Sequence, residues 1–106
     1  MTGQARTVLI SDRIDAGHPA LAQYARHYDL WLLARQRDAM AYIQTLPPEL
    51  MIVDLDMEGL EVDDLVRAVR QQNLNGQTVL VGLSRNTAAI PDHIVMAFDR
   101  ILPIQA

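Results

Sequence analysis

Short apolar runs alternate with amphipathic stretches along this chain. The apolar runs predict five strands, at residues 7–11, 30–34, 50–55, 78–83 and 100–104. Apolar residues at i, i+3, i+4 and i+7 spacing predict four helices, at 19–27, 38–46, 61–72 and 91–98. This alternation of strands and helices is typical of a parallel sheet whose strands are joined by crossover helices.

The strand pattern also predicts how the sheet is ordered. Three of the runs are nearly continuous in apolar residues, as expected for strands that are covered on both faces. Right-handed crossovers, and polar residues that must meet at one edge, predict a doubly wound α/β domain with five parallel strands in the order 2-1-3-4-5. At 106 residues the chain is expected to form a single domain spanning 1–106.

Composition narrows the class of protein. Half of the residues are hydrophobic and 21% are charged, which is a globular composition. The chain has no cysteine, so disulfides and thiolate metal sites are excluded, and no apolar run is long enough to span a membrane. These features predict a cytoplasmic domain without membrane contact.

Charge argues against nucleic-acid binding by this domain. The net charge is -4, and all nine basic residues are arginine. From Asp54 onward there are four arginines against eight acids, so the excess of negative charge lies in the second half. A broad cationic face of the kind that neutralises phosphates is not expected.

Polar side chains follow several of the predicted strands. Ser11, Asp12 and Arg13 end the first strand, Asp54 and Asp56 the third, and Ser84 and Arg85 the fourth. Ligands and catalytic groups collect beyond the carboxyl ends of strands in an open parallel sheet, so these residues are candidates for a site. Any one of them could instead cap the following helix or form a local turn. Several carboxylates at one edge require a neutralising cation, either a metal such as Mg2+ or an arginine such as Arg13.

The pattern at these strand ends resembles the receiver domain of two-component response regulators. The resemblance spans nearly the whole chain and is most specific in the segment PELMIVDLDMEGLEVDDLVRAVR. It implies that Asp54 is the phosphoacceptor, that Ser84 is the switch hydroxyl, and that Asp12 is the first of an acidic pair. The backbone of Asp56 would help to hold Mg2+, so that a metal, if bound, would involve Asp12, Asp54 and Asp56.

Two signature groups of receivers are replaced in this chain. Arg13 stands where receivers carry the second acid, and Leu102 stands before Pro103 where they carry a lysine. Phosphoryl transfer to a carboxylate needs positioned cations, and both substitutions reduce that supply. We therefore expect a degenerate pseudo-receiver without a bound metal, in which Arg13 reaches Asp54 or Asp12, and which acts as a non-enzymatic protein-interaction or dimerisation module.

Two other functions stay open from the sequence. One is a working receiver that is phosphorylated on Asp54 by a histidine kinase or a small phosphodonor, with Arg13 or Arg85 replacing the lysine and with Mg2+ as cofactor. The other is a flavodoxin-like domain that binds a small ligand at the same edge. This second alternative depends on fold analogy alone.

The end of the chain carries a further expectation. Receivers usually close with a fifth helix, whereas this sequence stops two residues after Ile104, so it is expected to lack that helix and to be the N-terminal part of a longer protein with an output segment. One face of the sheet, including Leu9 and Ile101, should then be half covered. Because soluble monomers rarely expose large apolar patches, a symmetric homodimer is expected to cover this face.

Overall fold

Alternating strands and helices make up the described chain. The computed structural model describes residues 5–12, 14, 18–22, 28–45, 48–72 and 78–104. Within them the strands are β1 (Ala5–Ile10), β2 (Tyr28–Leu33), β3 (Leu50–Asp54), β4 (Val79–Ser84) and β5 (Arg100–Pro103). The helices are α1 (Gln36–Thr45), α2 (Val62–Gln72) and α3 (Asp92–Ala97), with 3-10 turns at Pro19–Leu21 and Thr87–Ala89. None of these helices is long and apolar enough to cross a membrane.

The five strands form one parallel sheet in the order β2-β1-β3-β4-β5. This confirms the predicted doubly wound α/β fold and the predicted strand order. Strand bounds differ from the predicted ones by at most two residues. The helix predicted at 19–27 begins as a 3-10 turn at Pro19–Leu21 and is α-helical at Ala22, and residues 23–27 lie outside the described residues.

Burial in β3 and α2 explains why these two elements form where they do. All five residues of β3 are buried, in keeping with its continuous apolar run at the centre of the sheet. Leu65 and Val69 are buried on one side of α2. Asp63 and Asp64 lie in its first turn and Arg70 in its last, where each charge is favourable to the helix dipole.

Apolar side chains form one cluster on each face of the sheet. The first cluster lies under the three helices and includes Val8, Ile10, Met51, Val53, Leu65 and Phe98. The second includes Leu9, Ile52, Val81, Leu83 and Ile104, together with Ile14 and Leu21 from the segment that follows β1. Alternate strand residues enter opposite clusters because successive side chains point to opposite faces.

The expectation that one face of the sheet is half covered is wrong for Leu9 and Ile101, the residues named for it. Leu9 is fully buried, because it packs within the second cluster alongside Ile14 and Leu21. Ile101 pairs with Gly82 and is half-buried against the first cluster, so it lies on the opposite face from Leu9. The expectation that a homodimer covers this face therefore loses its structural reason.

Gly82 allows close packing over the middle of β4. A Cβ atom at this position would lie 2.7 Å from Cδ1 of Leu55 and 2.9 Å from Cδ1 of Ile101. Both distances are shorter than ordinary carbon contacts. The missing side chain thus leaves room for Leu55, which follows β3 directly, to cover the sheet beside the carboxyl edge.

Candidate functional site

The strand register brings distant polar residues together at the carboxyl edge of the sheet. Ile10 of β1 pairs with Val53 of β3, so the next residues along these strands, Ser11 and Asp54, lie side by side. Asp54 in turn pairs with Leu83 of β4, which immediately precedes Ser84. The edge therefore gathers residues from three neighbouring strands around Asp54.

Asp54 is completely buried, and both of its carboxylate oxygens accept hydrogen bonds. The Ser11 hydroxyl donates to Oδ2 at 2.8 Å, and the backbone N–H of Asp56 donates to Oδ1 at 3.1 Å. Burial of a carboxylate is costly unless it is hydrogen-bonded, so these contacts are what makes the position tolerable. The carboxylate thus also fixes the turn that leads out of β3.

Ser11 connects the Asp54 carboxylate to the segment that follows β1. Its hydroxyl oxygen accepts a hydrogen bond from the backbone N–H of Ile14 at 2.9 Å while it donates to Asp54. Ser11 is one of the strand-end candidates from the sequence, but the resemblance gives it no role. Its place directly after a buried strand, level with the acid that ends the neighbouring strand, is the signal for the role that the structure shows.

Asp56 holds the start of the segment that follows β4. The Ser84 hydroxyl donates to Oδ1 of Asp56 at 3.0 Å, and the backbone N–H of Arg85 donates to Oδ2 at 2.7 Å. The Arg85 guanidinium lies close to the same oxygen, with its Nε at 3.5 Å. The Ser84 oxygen also accepts from the backbone N–H of Asn86. Ser84 therefore contacts Asp56, and no bond from its hydroxyl to Asp54 is among the described contacts.

The remaining predicted site residues lie around this centre or outside the described residues. Asp12 is exposed, one residue beyond Ser11. Leu102 is half-buried in β5, where it pairs with Leu83 and packs against the second cluster. Arg13 lies outside the described residues, so its contact with Asp54 or Asp12 stays a prediction.

The described residues do not form a metal site from side chains alone. Among them, no three acidic or histidine side chains come together, Asp12, Asp54 and Asp56 included. Mg2+ needs near-octahedral oxygen ligands, whereas the oxygens of Asp54 and Asp56 bind hydroxyl and amide donors of the chain itself.

A small cleft adjoins the Asp56 and Ser84 side of the site. Its volume is about 190 Å3, and it is lined by Leu55, Asp56, Val62, Ser84, Asn86, Ala89, Ile90, Pro91 and Ile94. Sites for cofactors and drug-sized ligands usually have volumes of about 300–1,000 Å3. The cleft is thus small for a flavin or nucleotide, and it gives the flavodoxin-like alternative no support.

Several solved structures with the same architecture are response regulators. The chemotaxis response regulator CheY4 of Vibrio cholerae superimposes with a TM-score of 0.75 at 20% identity, covering 98% of this chain and 89% of that chain. A receiver domain from Bermanella marisrubri gives 0.73 at 22% identity, covering 98% and 88%. This chain has the response regulator receiver fold.

A third receiver-fold structure was solved with a metal. The response regulator TrrA of Thermotoga maritima, in complex with Mg(2+)-BeF, matches with a TM-score of 0.71 at 14% identity, covering 95% of this chain and 87% of that chain. No protein-family model and no curated protein matches the sequence. At these identities the likeness establishes the receiver fold but not the chemistry at the carboxyl edge of the sheet.

Proposed function

We propose that this chain is a receiver-like signalling module whose Asp54 site is structural, and that it acts through protein contacts rather than phosphorylation. The observation that supports this most directly is the burial and hydrogen bonding of the Asp54 carboxylate. It is completely buried, and its two carboxylate oxygens accept bonds from Ser11 and from the backbone of Asp56. A phosphoacceptor needs an oxygen that is open to the incoming phosphoryl group, and this carboxylate has none at the surface.

The charges near Asp54 support the same proposal. A phosphoryl group transferred to a carboxylate needs positioned cations to balance its developing negative charge. The chain contains no lysine, and Leu102 places a half-buried apolar side chain on β5, next to Leu83. The described carboxylates do not assemble into a metal site either.

The hydrogen bonds of the Ser84 hydroxyl support a site with one fixed arrangement rather than one that switches between two. It joins Asp56 of the β3 side to Asn86 of the β4 side. A hydroxyl that is already bound in this way stabilises one arrangement of the two segments. We therefore propose that the module takes part in signal transduction by binding a partner protein or an output segment, or by pairing with a second copy.

Intact-mass measurement with a small phosphodonor tests the proposal. The chain is incubated with Mg2+ and acetyl phosphate, beside the matched variant Asp54→Asn, which cannot form an acyl phosphate at position 54. We expect the mass of neither protein to increase by a phosphoryl group. An Mg2+-dependent adduct on the chain that is lost in Asp54→Asn would overturn the proposal.

Phosphorylation of Asp54 by a histidine kinase is the alternative function. The observation in its favour is Arg85, whose Nε lies 3.5 Å from Oδ2 of Asp56 at the same edge, where it would balance the charge of an added phosphoryl group. In that case Arg85→Ala should abolish the adduct. The same experiment on the double variant Arg13→Asp, Leu102→Lys, which restores the acid and the lysine that receivers carry, should then increase phosphate uptake.

A further inference from the structure

The two edge strands of the sheet differ in how they are protected against pairing with another strand. Edge strands are commonly blunted by shortness, proline or charge. β5 has only four residues, begins with the exposed Arg100 and ends with the exposed Pro103. β2 has six residues, YDLWLL, with no proline, no basic residue and a single acid. Within the described residues no strand pairs with the outer edge of β2.

β2 also exposes large apolar side chains on both faces of the sheet. Trp31 and Leu32 are 50% and 49% exposed. Trp31 pairs with Val8, and Leu32 pairs with Leu9, and these two β1 residues belong to opposite clusters. An added strand would therefore cover apolar surface above and below the sheet.

The backbone groups that point outward from β2 can be assigned from one hydrogen bond. The N–H of Ser11 donates to the carbonyl of Leu33 at 3.1 Å, so the polar groups of Leu33 face β1. Because this direction alternates along a strand, position 31 also faces β1, whereas positions 30 and 32 face the free edge. An incoming strand would hydrogen-bond at these two positions.

We propose that β2 is the site of a symmetric homodimer, in which it pairs antiparallel with β2 of a second copy and the two sheets become continuous. A two-fold axis perpendicular to the sheet makes edge strands antiparallel and keeps each face on its own side. Centring the axis on Trp31 pairs positions 30 and 32 with positions 32 and 30 of the second copy. Both positions carry leucine, and the backbone N–H and C=O groups of both point to the free edge. In this register each copy can therefore hydrogen-bond the other at positions 30 and 32.

The chemistry of the paired positions favours a second copy as the occupant. Trp31 then lies opposite its own copy in a non-hydrogen-bonded pair, where side chains are closest. The single acid, at position 29, falls opposite Leu33 of the second copy and not opposite another acid. An isologous interface needs a self-complementary surface, and the exposed Trp31 and Leu32 provide apolar area for one.

The proposed interface is small. The surface buried by a ladder of five residues, with two half-exposed residues per copy, is smaller than the roughly 1,200 Å2 of a stable interface. A reversible dimer is therefore expected. The pairing of two copies is part of the proposed function, and the inference about β2 rests on that part. It does not depend on the state of Asp54, so the phosphodonor experiment and the dimer experiments can fail separately.

Sedimentation over a dilution series tests the dimer. We expect the chain to pass from dimer to monomer on dilution, with a shift in the fluorescence of Trp31, the only tryptophan. Leu32→Lys should shift the midpoint at least tenfold toward monomer, because it places a charge on the paired edge. The matched control is Val79→Lys, at a 44% exposed position of β4, which should leave the midpoint unchanged. A chain that is monomeric at all concentrations, or a dimer that Leu32→Lys does not weaken, would overturn the inference.

Disulfide trapping tests the register. The chain has no cysteine, so Trp31→Cys and Leu32→Cys each provide a single thiol. Directly opposite residues are about 4.5 Å apart at Cα in a non-hydrogen-bonded pair, within disulfide reach. Two copies of position 32 are diagonal, at about 7–8 Å. We expect oxidation to cross-link Trp31→Cys efficiently and Leu32→Cys poorly; the reverse order, or cross-linking of neither, would overturn the proposed pairing.

Discussion

At the scale of single residues, hydrogen-bond donors offset the cost of burying the Asp54 carboxylate. The Ser11 hydroxyl serves two partners, the Asp54 carboxylate and the backbone N–H of Ile14. It therefore joins β3 to the segment that follows β1. The same carboxylate also accepts from the N–H of Asp56, so one side chain organises two turns at the edge.

Removal of the Ser11 hydroxyl should destabilise the protein. In Ser11→Ala, a buried charged acceptor loses a donor and the Ile14 amide loses its acceptor, which costs about 1–3 kcal/mol of unfolding free energy. Urea unfolding of Ser11→Ala beside the chain measures this difference. Thr87→Ala, at an exposed position, serves as the control and should change the stability by less than about 0.5 kcal/mol. Equal stability of Ser11→Ala and the unaltered chain would contradict the role given to this hydroxyl.

At the scale of elements, Arg70 joins the end of α2 to three other parts of the fold. Its guanidinium donates to the carbonyl of Thr78 before β4 at 3.2 Å and to that of Ala97 in α3 at 3.5 Å. It also lies 3.9 Å from Oδ2 of Asp99, which in turn accepts from the N–H of Leu80. A planar group with several donors can serve these acceptors at once.

Substitution of Arg70 should therefore cost more than substitution of Arg67 on the same helix. Arg67 makes only an exposed pair with Asp64 among the described contacts, and such pairs contribute about 0–1 kcal/mol. Arg70→Ala should lower the unfolding free energy by about 1–3 kcal/mol because it removes bonds to two carbonyls. Arg70→Lys should recover only part of the loss, since an ammonium group lacks the fork geometry. Thermal and urea unfolding compare the three variants; equal effects of Arg70→Ala and Arg67→Ala would refute this role.

At the scale of the whole molecule, the two apolar clusters share the same strands. Val8 and Ile10 enter the first cluster, and Leu9 between them enters the second. β3 is shared in the same way, through Met51 and Val53 on one face and Ile52 on the other. Neither cluster can be lost without disrupting the strands that support the other.

This sharing predicts a single cooperative unfolding transition at concentrations where the chain is monomeric. Trp31 reports on β2 at the edge through its fluorescence, and far-ultraviolet circular dichroism reports on the whole fold. The two curves should coincide in urea, as expected for a two-state domain of this size. An earlier fluorescence transition would mean that β2 opens separately, contrary to the expectation from the shared strands.

The sequence by itself determined the arrangement of the domain. Local patterns are sufficient for this, because continuous apolar runs specify strands buried on both faces, and amphipathic stretches specify the helices that cover them. The crossover rule then restricts the strand order, and the structure has the predicted order. The position of Asp54 at the end of β3 also follows from sequence, since an acid directly follows a buried run.

Only the tertiary structure decided which groups meet at that edge. Ser11 and Asp54 are 43 positions apart, and their contact depends on the register between β1 and β3. The bond from Ser84 to Asp56 depends on a side-chain torsion, which no spacing in the sequence specifies. Likewise, the burial of Leu9 and the placement of Ile101 on the opposite face follow from strand register and from the packing of Ile14 and Leu21. Local periodicity specifies elements, whereas contacts across a sheet depend on how separate segments align, and a one-residue shift moves each side chain to the other face.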